Sequence, residues 1–247
     1  MSSKSRPPAT AISTDLSPFE TAALREGLRE FLNRPVKDPQ APKVKVLGGY
    51  KYGVYAFFDY DNEPIYVGQT HEKVSTRIRR HLTNQRTDAV AMNVLDPYEV
   101  YAIAVWPCPQ FQQGKKGDPK IKEHMDTLEA AVFTQLVKHS KFGAVLNEKI
   151  PYSRRKAPVP KPIYGAIVSD EVKELRGHPD TRLARRAATI ARLAQVINER
   201  KVQPGLRRTL KIQATRLLWL AEERYKPFEA QAIKEDAQKD GSGEDEE

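Results

Sequence analysis

Gly53-Val54-Tyr55-Ala56-Phe57-Phe58-Asp59-Tyr60-Asp61-Asn62-Glu63-Pro64-Ile65-Tyr66-Val67-Gly68-Gln69-Thr70 reads as a β-hairpin. The run 53–60 is rich in aromatic and β-branched residues, which suit a pleated surface. Asp61-Asn62-Glu63-Pro64 supplies turn chemistry: short side chains that bond their own backbone, then a residue with no amide hydrogen. Ile65 to Thr70 forms the returning strand.

Working outward, Lys73 to Asn84 places Val74, Ile78 and Leu82 at four-residue steps and predicts a helix. Tyr98 to Val105 predicts a third strand, Phe111 to Lys120 a loop rich in Gly and Lys, and Ile121 to Lys138 a second helix. That helix carries Met125, Leu128, Ala131, Val132 and Leu136 inward. The order β-β-α-β-α makes the fold class α+β, a small sheet (hairpin plus third strand) flanked by helices. This core occupies 44–151. Before it, 1–43 is an N-terminal arm, irregular at first and then helical from about Pro18 to Asn33. Prolines 35, 39 and 42 forbid regular structure after that helix. Beyond the core, 152–168 reads as a Pro-rich basic linker. Residues 169–230 form a basic helical extension, a hairpin of about Asp180 to Arg200 and Leu206 to Lys226 broken at Pro204-Gly205. An acidic tail, 231–247, is expected to be disordered.

The chain has 247 residues and a formal net charge of +9, which biases its partners toward polyanions. A single cysteine, Cys108, excludes an internal disulfide and makes a cysteine zinc site an unsuitable reading. His71, His124, His139 and His178 show no zinc-ligand spacing. Gly114-Lys115-Lys116-Gly117 lacks the ending of a P-loop. No run of about 18 apolar residues is present, so no membrane partner is expected. Met1 to Thr10 has no secretory apolar region, and a cytoplasmic location is the expectation.

Hydrolysis of a phosphodiester needs a base for water, a cation at the phosphoryl oxygens and a group to hold the phosphate. Arg77 and His81 lie one helical turn apart and project from one face. Tyr55 and Tyr66 sit on neighbouring strands. A phenol titrates near 10 and becomes a usable base only when its neighbours favour the charged form; Arg77, His81 and Lys73 are the candidates. Glu129 is flanked by Leu128, Ala130 and Ala131, and a partly buried lone carboxylate points to function. Each has a plain alternative: sheet aromatics, a solvated basic helix face, a turn asparagine at 147.

Gly53-Val54-Tyr55 followed by Tyr66-Val67-Gly68 resembles the GIY-YIG signature of a nuclease superfamily. Arg77 to His81 on the next helix, Glu129 on a later helix and Asn147 after it match that family's pattern in order and placement. The resemblance covers 44–151. It implies that Tyr55, helped by His81, takes a proton from the attacking water, and that Tyr66 positions water or phosphate. Arg77 would bind the scissile phosphate, and Asn147 would orient Tyr55 or its loop. Glu129 would hold one Mg²⁺, for which Mn²⁺ substitutes. The implied activity is a divalent-metal-dependent DNA endonuclease, a restriction or related phage-defence enzyme and so often a homodimer. A structure-specific repair or recombination nuclease, or a non-catalytic DNA-binding protein on the same scaffold, are the alternatives.

DNA contacts are expected from cations around this site: Lys73, Arg79, Arg80, Arg86, Lys115, Lys116, Arg154 and Arg155. Arg185 and Arg186 are expected to contribute from an arginine stripe of the extension that also holds Arg182 and Arg192. Arg207, Arg208, Lys211 and Arg216 line its second helix.

Overall fold

The computed structural model describes residues 19–83, 94–199 and 201–241, with side chains at 21–83, 94–199 and 201–229. Arg86 lies outside the described residues. Four antiparallel strands form one sheet: β1 (Gly53–Phe58), β2 (Pro64–Thr70), β3 (Ala102–Pro107) and β4 (Ile163–Ala166), in the order β2-β1-β3-β4. The described helices are α1 (Phe19–Leu32), α2 (Val74–Thr83), α3 (Pro119–His139), α4 (Asp170–Gly177), α5 (Pro179–Glu199) and α6 (Pro204–Gly241). The architecture is α+β, with the N-terminal helix and the C-terminal helical pair expected from the sequence.

Strand β1 is buried along its whole length, and its alternation assigns each side chain to one of two cores. Tyr55 and Phe57, with Ile103 and Val105 of β3, face α1, α2 and the apolar side of α5 and α6, represented by Leu28, Ile78, Leu193 and Leu206. Val54, Ala56 and Phe58, with Ala104 and Trp106, face α3 through Met125, Leu128 and Val132. The N-terminal helix is therefore a wall of the core. Its Gly27 lies so close to the chain at Ile167 that an added Cβ would stand 1.9 Å from that carbonyl oxygen.

The hairpin turn is tied by Asp59, whose carboxylate accepts from the amides of Asp61 and Glu63, while Asn62 takes the left-handed conformation at φ 60°. Three segments differ from the sequence expectation. The third strand begins at Ala102 because Asp96 caps a short 3₁₀ turn, Pro97–Glu99, that consumes the first residues assigned to it. The end of the expected linker is strand β4, held on β3 after the last proline and pinned by Arg34, which donates to the Tyr164 carbonyl at 3.0 Å. Within the proline run itself, Pro160 accepts from the Trp106 indole at 2.9 Å, so this stretch is packed down. Helix α6 continues to Gly241, into the acidic stretch expected to be irregular.

The arginines of the extension require a correction. Arg182, Arg186 and Arg216 are only 3%, 4% and 1% exposed. Arg186 Nη2 donates to Asp59 at 2.8 Å and its Nε to Glu99 at 3.3 Å. Arg182 forks onto Asp61, and Arg216 Nη2 donates to the Pro64 carbonyl at 2.8 Å. The guanidinium of Arg185 lies over the ring of Tyr98, 5.6 Å from its centroid. These side chains dock the extension onto the hairpin turn. Arg186, expected at DNA, is instead buried against the acids of the turn, and Arg185 is half-buried against Tyr98. The apolar periodicity of the two helices is visible in the sequence, whereas the acids that receive the arginine stripe lie 121 and 127 positions away.

Candidate active site

Tyr55 stands opposite Gly68 on β2 and Val105 on β3. A Cβ at position 68 would lie 2.6 Å from the Tyr55 hydroxyl and 2.8 Å from its Cζ. The glycine of the second tripeptide is thus the floor on which the phenol rests. Gly53 has a parallel reason: a Cβ there would stand 2.9 Å from the Trp106 carbonyl oxygen. Helix α2 closes the phenol from above. Arg77 Nε donates to Tyr55 Oη at 3.2 Å, and Tyr55 Oη lies 2.8 Å from His81 Nε2.

The protonation pattern follows from these bonds. Burial, then the charges of Arg77 and Arg80, holds His81 down to about 4, so at neutral pH the imidazole is uncharged. With Arg77 already donating to the phenol oxygen, the Tyr55 hydroxyl donates to His81 Nε2. That places the ring proton on His81 Nδ1, which has no hydrogen-bond partner among the described residues. Burial, and next the neighbouring Tyr66, pushes the Tyr55 phenol well above its ordinary value of 10, while Arg77 pulls it back. Tyr66 completes the group, its ring centroid 6.3 Å from that of Tyr55 and 5.2 Å from His81.

Because β2 is the sheet's outer strand, its free edge opens into a cleft of about 540 Å³. Tyr66 lines it from one side of the strand and Glu129 of α3 from the other. Burial, reinforced by Asp126, raises the Glu129 carboxyl to about 7. The Gln69 amide lowers it, donating to Glu129 at 3.1 Å and to Asp126 at 2.7 Å. Gln69 and Asp126 were missed in the sequence. The signal was there: Asp126 is one helical turn before Glu129, and Gln69 alternates to the α3 face of the strand that carries Tyr66.

Asn147 is 6% exposed and braces the same edge. Its amide accepts from the Val67 amide at 2.9 Å and donates to the Val67 carbonyl at 2.7 Å, as a neighbouring strand would. It fixes the residue between Tyr66 and Gly68, and its side-chain bonds go to Val67 and not to Tyr55. Helix α6 holds this loop in turn. Arg208 donates to the carbonyls of Asn147 at 2.8 Å and Glu148 at 2.9 Å, an assignment the sequence did not reveal.

The expected DNA-contacting cations divide. Lys73, Arg79, Lys115, Lys116 and Arg154 are exposed. Arg80 is paired with Glu72 and Arg155 with Glu123 at the surface. Arg77, by contrast, has no carboxylate within salt-bridge distance among the described residues.

A divalent cation fits the donors present. Glu129 is a hard oxygen ligand whose charge is opposed by burial and answered by one amide, beside a cleft with room for coordinated water. Among the described residues no three His, Cys, Asp or Glu converge as a ligand cluster, so waters and phosphate oxygens would complete the shell.

The family model described as the GIY-YIG catalytic domain matches residues 51–116, which include Tyr55, Tyr66, Arg77 and His81. Residues 51–116 thus carry a catalytic domain of the GIY-YIG nuclease superfamily, a domain that indicates an endonuclease of DNA. Such nucleases generally use divalent metal ions. Comparison with curated proteins and with solved structures gives no match. Among the described residues no helix is long and apolar enough to cross a membrane.

Proposed function

We propose that this chain is a Mg²⁺-dependent DNA endonuclease that acts as a restriction or phage-defence enzyme, with Mn²⁺ able to replace Mg²⁺. The observation that carries the reading is the phenol of Tyr55, bonded on one side to an uncharged imidazole and on the other to a guanidinium that lacks a carboxylate.

A phenol buried this deeply does not rest as a phenolate. It works as a relay: as water gives its proton to Tyr55 Oη, the phenol passes its own to His81 Nε2. Charge never accumulates on the buried oxygen. The imidazolium so formed faces Arg77 and Arg80, like charges that make it short-lived, and its proton returns through Tyr55 to the leaving oxygen when the phosphodiester breaks. Tyr66, at the cleft wall, positions the attacking water or the phosphate. Arg77 binds the scissile phosphate and stabilises the extra charge of the pentavalent state, since none of its donors is spent on an acid. Glu129 holds the cation, which when bound neutralises charge on the phosphoryl oxygens. Asn147 keeps β2 straight at Val67. Exposed Lys73, Arg79, Lys115, Lys116 and Arg154 supply contacts to flanking phosphates, which fix register without reading sequence. Cutting both strands at one site favours a homodimer.

Incubation with unmethylated duplex DNA, with Mg²⁺ or with chelator, tests the reading. Discrete Mg²⁺-dependent fragments with fixed ends are expected. Cleavage confined to flaps or junctions would move the chain to repair or recombination, and binding without cleavage of any substrate would make it a non-catalytic scaffold.

A further inference from the structure

Large apolar side chains left in solvent on a charged protein need a reason. Among the described residues Tyr152 is the most exposed of them, at 77%, and Ile150, two positions earlier, is 49% exposed. Both line the cleft that holds Tyr66 and Glu129.

The backbone beneath them is held at both ends. On the upstream side Asn147 is hydrogen-bonded to β2, and Arg208 donates to the carbonyls of Asn147 and Glu148. On the downstream side Ser153 Oγ lies 2.9 Å from Thr127 Oγ1 on α3, and Arg155 pairs with Glu123 of the same helix at 2.8 Å. Pro151 restricts the residues between. A strap fixed at its ends and stiffened in its middle thus presents an aromatic ring to water at the mouth of the cleft. Exposed Lys149, Arg154 and Lys156 flank it along the chain, and Lys149 lines the same cleft.

An exposed aromatic face on a segment rich in exposed cations matches a nucleotide: a flat apolar base on an anionic backbone. We propose that Tyr152 is a stacking platform for an unstacked nucleobase of the DNA substrate, in the cleft that it shares with Tyr66 and Glu129. The proposal rests on the nuclease reading and specifies its substrate: a strand that the enzyme opens, or receives already opened, by one base. Ile150 and Pro151 form the apolar floor, and Lys149, Arg154 and Lys156 hold the phosphates on either side. A base inside an intact duplex has both faces covered and gains nothing from the ring, so Tyr152 favours substrates in which unstacking is easy.

The test uses the full chain with chelator present, so that binding is read without cleavage. The probes are fluorescein-labelled oligonucleotides of mixed sequence, as a single strand, as a duplex with one unpaired base, and as a fully paired duplex. Tyr152→Ala is expected to weaken binding of the first two by about 5- to 100-fold, the range for losing one aromatic stacking partner. The paired duplex should change less, and Tyr152→Phe should retain wild-type affinity. The salt dependence should be unchanged in Tyr152→Ala and shallower in Lys149→Ala. Equal affinities for Tyr152→Ala and the wild type on the open probes would overturn the proposal. So would Tyr152→Phe behaving like Tyr152→Ala, or a change of oligomeric state in Tyr152→Ala, which would assign the ring to a contact between copies. A chain that cleaves normally as Tyr152→Ala loses the stacking site and keeps the nuclease reading. A chain that discriminates open probes through Tyr152 yet never cleaves with Mg²⁺ loses the nuclease reading and keeps the stacking site.

Discussion

Among the described residues arginines are brought against the core at the hairpin turn and at the tyrosine site, and the two places are built to opposite rules. At the hairpin turn Arg182, Arg186 and Arg216 face Asp59, Asp61 and Glu99, so cations and acids balance within one cluster. At the tyrosine site Arg77 faces a phenol; Glu72, whose field reaches it, makes no ion pair with it, and Glu129, which feels its charge, lines a cleft instead of closing on it. A cluster whose charges meet within itself holds parts together, even though Glu99 Oε1, Arg182 Nε and Arg216 Nε and Nη1 find no hydrogen-bond partner among the described residues. An unbalanced one can be completed by something from outside, and under the proposed function an anionic phosphate and a cation take that part. The number of buried arginines says nothing about which is which; the count of acids beside them does.

That contrast makes its sharpest claim about Arg77. Arg77→Ala should lower cleavage by about 1,000-fold or more, the scale for losing a preorganised charge at the transition state, with the melting temperature almost unmoved. Arg186→Met should do the reverse. It leaves Asp59 and Glu99 short of a partner in a dry site, and removing one member of a buried pair costs on the order of 3–5 kcal/mol. Urea unfolding would read the loss, and activity per folded molecule at low temperature should stay at the wild-type level. If Arg186→Met cleaved poorly while fully folded, the balanced cluster would be catalytic after all.

Gly68→Ala probes the tyrosine site without touching a charge. The new methyl group meets Tyr55 Oη at 2.6 Å and cannot be accommodated unless the phenol leaves its place between Arg77 and His81. Overpacking of this kind destabilises by about 1–3 kcal/mol, whereas a reacting group displaced by about 1 Å loses on the order of 100-fold in rate. Cleavage at low temperature should therefore fall much further than stability. Equal loss of both would mean that Gly68 serves the sheet alone.

How far the sequence carried depended on whether a signal was local. The hairpin was readable because alternation, turn residues and glycines all lie within one short run. Helix α2 was readable from Val74, Ile78 and Leu82. Strand β4 was not, because Ile163 to Ala166 follows a proline-rich run and its pairing with Ala102 to Val105 is a distant contact. The same reason hid the partner of the extension's arginines: Arg186 and Asp59 are bonded across 127 positions. At the site, Tyr55, Tyr66, Arg77 and His81 come together as the spacing implied. The neighbours that tune them, Gln69, Asp126 and Arg208, belong to no motif and emerge only when α3 and α6 are placed against the edge of β2.

The smallest effect follows from the unbalanced side of the same comparison. Burial raises Glu129 from 4.5 to about 7. Its folded value lies above its unfolded one, so the folded state binds this proton more tightly. Stability from Glu129 is thus complete below about 4.5 and drains away as pH rises toward about 7. Glu129→Gln removes the drain. The variant should be as stable as the wild type in acid and more stable above neutrality, by an amount on the order of 1–3 kcal/mol, while cleaving nothing. Glu99, also raised to about 7, imposes its own pH dependence, but it is common to both proteins and cancels in their difference. The cation and the proton compete for the same carboxylate. Cleavage at limiting Mg²⁺ should therefore rise with pH through about 7, with a midpoint that moves down as Mg²⁺ is added. A midpoint indifferent to Mg²⁺ would place the cation elsewhere and leave Glu129 as an ordinary buried acid.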